Sequence, residues 1–136
     1  MDFTKILNYL YLTRQKIFEI IPEILSFVYV RVYLIFIFFF NILSWVLAYF
    51  INSKAGQNPI IFLHYNVDFG ANLVGDVGQL YTLSDLGLIV FIFNFFLFLN
   101  FYKKNKFISH LLLSAAVLVN AILVIALYLI YLVNFR

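Results

Sequence analysis

The densest group of side chains able to do chemistry lies mid-chain: His64, Asn66, Asp68, Asn72, Asp76 and Asp85. Imidazole and carboxylate are common metal donors, and His64 and Asp68, four positions apart, would share one face of a helix. The segment lacks the HxxxH, HExxH and ExxH patterns in which ligands recur at spacings that converge on one ion. Gly70, Gly75 and Gly78 do not have the spacing of a phosphate-binding loop. A structural assignment accounts for the same residues more simply. Asn and Asp cap turns, and glycine supplies backbone conformations closed to other residues. The chain has no cysteine, which excludes a disulfide framework, a thiolate metal site and a cysteine nucleophile. No catalytic residue, metal or cofactor is assigned. The loop candidates are His64, Asn66, Asp68, Gly70, Asn72, Gly75 and Asp76.

A second polar set is defined by depth. Asn41, Asn94 and Asn120 each fall near the middle of a long apolar run. Carboxamides at such a depth avoid lipid and seek partners on neighbouring helices. If the helices bundle, the three amides would meet near one level as interhelical contacts. The competing assignment is a polar constriction, although neutral amides cannot relay protons as carboxylates do. Asn100 and Asn134 fall near the ends of their runs and call for no partner.

These groups are positioned by unusually apolar elements. Of 136 residues, 65% are hydrophobic and only 11% charged. Charged side chains this sparse cannot coat a globule this small, whereas in lipid the hydrocarbon replaces the polar coat. The expected fold class is an all-α integral membrane helical bundle. Three runs are long enough to span: 32–51, 85–102 and 107–133. Before them, 2–21 sets Lys5, Asn8, Gln15, Lys16 and Glu19 opposite Phe3, Ile6, Leu7, Leu10, Ile17, Phe18 and Ile21. That pattern predicts an amphipathic interfacial helix, with a break or kink at Pro22. Ser84 with Asp85 suits the start of the second span, and Asn105 suits the cap of the third.

Orientation follows from the basic residues. Lys5, Arg14, Lys16, Arg31, Lys103, Lys104 and Lys106 lie on one side, and Lys54 and Arg136 on the other. The positive-inside rule places the N-terminus and the 103–106 turn in the cytoplasm, with the 52–84 loop and the C-terminus outside. The net charge of +3 is too small to imply nucleic acid. Residues 52–84 are partly apolar and read as an extended stretch followed by a short helix in the outer interface.

Within that loop, Leu63–Gly75 (LHYNVDFGANLVG) resembles a signature of small, uncharacterised prokaryotic multi-pass membrane proteins, in which an LHYN…FG…LxG segment precedes two closing helices. The likeness covers about the last 75 residues. It implies a prokaryotic plasma membrane and two closing spans, and no activity. Apart from the resemblance, the expected partners are the lipid bilayer and a homo-oligomer or larger membrane complex. The leading expectation is a non-enzymatic accessory, packing or scaffold subunit. Behind it stands an oligomeric transporter or channel lined by Asn41, Asn94 and Asn120. A membrane enzyme using His64, Asp68 and Asp76 at the outer interface ranks third.

Overall fold

The structure, a computed structural model, describes residues 19–56, 60–66 and 70–136, with side chains for all of these except 64–66 and 70–72. Three helices dominate: α1 (Val28–Ala55), α2 (Leu80–Phe101) and α3 (Lys106–Phe135). All three are long and apolar enough to cross a membrane. They form an up-down-up, all-α bundle, and the chain is a membrane protein. α1 and α3 run parallel, α2 runs antiparallel to both, and α3 packs extensively on each neighbour.

The interior positions follow a coiled-coil period. Residues 30, 34, 37, 41, 44, 48 and 51 of α1, 80, 84, 87, 91, 94 and 98 of α2, and 109, 113, 116, 120, 123 and 127 of α3 are buried or half-buried. The spacing alternates between four and three in every helix, the period that keeps one seam facing inward in coiled-coil packing. Along the seam, side-chain size changes with depth. One end holds Val30, Phe98, Tyr102 and Leu113, joined by Ile24 from the segment before α1. The other holds Ala48, Ile51, Leu80 and Leu127, joined by Ile61 and Val77. Between these two apolar clusters is a waist of small and polar residues: Asn41, Ser44, Ser84, Gly87, Ala116 and Asn120. Lipid gives helices no hydrophobic reason to associate, so close approach through small residues is what holds such a waist together.

The start of the bundle differs from the sequence expectation. The amphipathic helix expected over 2–21 falls, up to residue 18, outside the described residues. Residues 19–26 are helical straight through Pro22, and the break comes at Phe27. Phe27 is extended (φ −76°, ψ 119°), and the turn before it is closed by Ser26 Oγ donating to the Glu23 carbonyl at 2.6 Å. The extended link lets Ile24 turn under the bundle. There, Glu23 forms a 2.8 Å ion pair with Lys103 and accepts a 3.2 Å hydrogen bond from the Tyr102 hydroxyl. The Lys103 ammonium hydrogen-bonded to it holds the Glu23 carboxyl below the usual carboxylate range.

The 52–84 segment is not simply a loop. α1 continues to Ala55 and ends at Gly56, whose φ of 60° suits a residue without a side chain. An antiparallel hairpin follows, β1 (Ile60–Asn66) with β2 (Gly70–Asp76), as the β-branched and aromatic run IIFLHYN favours. The pairing is irregular around Leu63 and His64. A 3-10 turn, Val77–Gln79, then leads directly into α2, capped by Asp76 Oδ1 accepting from the Gly78 amide at 2.6 Å. α2 therefore begins at Leu80, and Ser84 and Asp85 lie inside it rather than at its start. At the opposite end Asn105 caps α3, its Oδ1 accepting from the Ile108 amide at 3.1 Å, so Lys106 belongs to the helix.

Candidate functional site

The polar contacts between the elements include a node at the waist and a clasp beneath the hairpin. At the waist, Asn41 Nδ2 donates to the Ser84 carbonyl at 3.2 Å and to Asn120 Oδ1 at 3.2 Å. Asn120 Nδ2 donates to the Gly87 carbonyl at 3.2 Å and to the Ala116 carbonyl at 2.9 Å. The Ser44 hydroxyl donates to the Asn41 carbonyl at 2.7 Å. Two carboxamides thus link all three helices. Each backbone carbonyl involved has a second lone pair to offer while keeping its place in its own helix. The node is buried: Asn120 is 1% exposed and Asn41 8%.

Gly87 makes this approach possible. A Cβ at that position would lie 2.5 Å from Asn120 Oδ1, 3.1 Å from Asn41 Nδ2 and 3.2 Å from Leu123 Cδ1. Both amides therefore press on the bare α-carbon of α2. Among the described residues, the Ser84 hydroxyl is the buried side-chain oxygen without a hydrogen-bond partner.

The expected trio of Asn41, Asn94 and Asn120 is thus a pair joined to two backbone positions. Asn94 stands apart, half-buried, with its Nδ2 donating to its own Val90 carbonyl at 2.9 Å. It shares the interior stripe of Gly87 but lies seven residues further along α2, about 10 Å in depth. The early start of α2 moves the level of Asn41 and Asn120 to Ser84 and Gly87. Four asparagines in the spans, Asn94, Asn100, Asn120 and Asn134, donate to the carbonyl four residues before them. In lipid this back-bonding is the nearest way to satisfy a carboxamide.

The clasp is not visible in the sequence, where Asn134 calls for no partner. In the fold its Oδ1 accepts from the Phe62 amide at 2.8 Å and its Nδ2 donates to the Phe62 carbonyl at 2.8 Å. A side chain at the end of α3 thereby makes the paired contacts that a neighbouring strand would make. Ile61 and Leu63 pack beside it on the apolar cluster. Nearby, Lys54 Nζ donates to the Tyr131 hydroxyl at 2.9 Å and lies 4.8 Å from the centre of that ring, tying α1 to α3. The signal for the clasp is a carboxamide at a helix end opposite a short strand, and it requires the hairpin to be recognised first.

We expect Asn134→Leu to release the hairpin while leaving the bundle folded. The two hydrogen bonds to Phe62 are removed, together worth about 2 kcal/mol. Amide exchange at Phe62 should accelerate, whereas exchange in the middle of α3 should not change. Equal protection of Phe62 in both proteins would show that apolar packing alone seats the hairpin.

The loop candidates are distributed differently. His64, Asn66, Gly70 and Asn72 lie in the strands, and Asp68 lies outside the described residues. The helical face imagined for His64 and Asp68 does not arise, because 60–66 is extended. Gly75 pairs with Ile61, close to the side chains of Leu63 and Gln79, and Asp76 is a turn cap. Among the described residues no three His, Asp or Glu side chains come together as a metal site. At the far end of the bundle His110 lies between Tyr29 and Tyr33, with ring centroids 4.4 and 5.8 Å away. Comparison of the chain with family models, curated proteins and solved structures finds no match.

Proposed function

We propose that this protein is a non-enzymatic accessory, packing or scaffold subunit of a membrane assembly. The observation that supports this reading is the waist, where the amide donors of Asn41 and Asn120 are used on each other and on backbone carbonyls. Such a node holds helices in register, with both carboxamide groups committed to the bundle itself. The outward faces meanwhile carry bulky aromatics, among them Phe36, Phe39, Phe93 and Phe96, suited to lipid or to another helix. The orientation in this reading puts the Lys103–Lys106 end in the cytoplasm. Arg31 and Lys103 lie at that end of the bundle, and Lys54 and Arg136 at the other.

Extraction into native lipid discs, followed by mass measurement, tests the proposal. The expected particle contains several copies of the 16.0 kDa chain or a second polypeptide. A single copy without any co-purifying protein would overturn it.

A further inference from the structure

On the lipid side of α1 is an open, shallow groove. It is walled by Leu25 from the segment before the helix and by Leu34, Phe38, Phe39 and Ile42, with Arg31 at one end. The groove exists because the extended Phe27 turns residues 19–26 aside. Ile24 goes under the bundle, and Leu25 is left standing against the outer face of α1. Its lining is almost wholly carbon, the stem of Arg31 included, and the Arg31 side chain is exposed with no ion-pair partner among the described residues.

Two features specify the occupant. The first is length. From Arg31 to Ile42 is eleven residues of helix, about 16 Å, and half of a ~30 Å hydrocarbon core is about 15 Å. The groove therefore reaches from the headgroup level to mid-membrane, the depth of one acyl chain in one leaflet. The second is charge. A lone guanidinium at the wet end of an apolar trough matches an amphiphile with an anionic head, and its planar fork fits phosphate oxygens. Lys103, Lys104 and Lys106 raise the positive potential at the same end.

We propose that this groove holds one anionic phospholipid, with an acyl chain along Leu34, Phe38 and Ile42 and the headgroup phosphate on Arg31. The site belongs to the chain itself and stands whether or not the protein serves a larger assembly.

Native mass spectrometry of the full chain tests the assignment, using detergent micelles doped with equal amounts of phosphatidylglycerol and phosphatidylcholine of identical acyl chains. The expected result is one retained lipid per chain, with phosphatidylglycerol favoured about fivefold, the effect of one interfacial cation. Arg31→Gln should abolish the preference and Arg31→Lys should keep most of it. Lys104→Gln should lower it far less than Arg31→Gln does. Ile42→Trp, filling the groove at a position facing away from the bundle, should reduce retention of both lipids. The proposal is overturned if no lipid is retained, if Arg31→Gln keeps the preference, if Lys104→Gln removes it equally, or if Ile42→Trp changes nothing. Recovery of a second copy bound in place of lipid would also overturn it.

Discussion

Gly87→Val is expected to weaken the folded bundle by about 3 kcal/mol, more than any other single change at the waist. The β-carbon would come within 2.5 Å of Asn120 Oδ1, 3.1 Å of Asn41 Nδ2 and 3.2 Å of Leu123 Cδ1. Neither amide can retreat without giving up a carbonyl on α2. To relieve the overlap, α2 must move away from α1 and α3 together. Unfolding in mixed micelles with increasing dodecyl sulfate provides the measurement, with Ile89→Val on the lipid-facing side as the control. Ile89 is 62% exposed, so trimming it should leave the midpoint within error. If the two variants unfold alike, α2 does not approach its neighbours through Gly87.

The second expected result separates two asparagines that look equivalent in the sequence. Asn120→Leu should destabilise by about 2 kcal/mol, because it deprives Asn41 of an acceptor inside a closed seam and forces a branched side chain against Gly87. Asn94→Leu should be nearly silent in the same assay, since the amide it removes serves only its own helix. A double-mutant cycle between Asn41→Leu and Asn120→Leu should return a coupling of about 0.6 kcal/mol, and none between Asn41→Leu and Asn94→Leu. Reversal of the order, with Asn94 the costly site, would place the polar level elsewhere along α2.

That contrast also shows what the residues reveal on their own. Composition and the length of the apolar runs are enough for a helical membrane bundle, because no other solvent tolerates so little charge. The face of α3 containing Ser109, Ala116, Asn120 and Leu123 is legible as a packing side, and all four residues are buried. The partners of Asn120 are not legible from hydropathy, which gives the depth of a helix only to within a turn or two. Asp76 sends the chain into a 3-10 turn early enough to start α2 at Leu80, shifting the facing residues from Asn94 to Gly87. The alternation of four and three from Leu80 through Ser84, Gly87 and Asn94 to Phe98 is present in the sequence, and it sets Gly87 in the seam. The hairpin is harder to see because β-branched and aromatic residues favour strands in water yet also fill the membrane helices of this chain. Local preference cannot separate the two uses.

The carboxamide of Asn134 also limits how far the small sheet can be extended. Because the Phe62 amide and carbonyl both reach outward to Asn134, Phe62 and its partner Val74 form a pair whose backbone groups face away from each other. With the Phe62 groups on one border occupied by a side chain, the Val74 border is the better placed to take a further strand. Fibre growth needs two adhesive borders on every unit, so that each addition exposes the next. A ribbon with a single adhesive border stops once that border is met. A second copy of this ribbon, joined border to border, ends the chain of additions there.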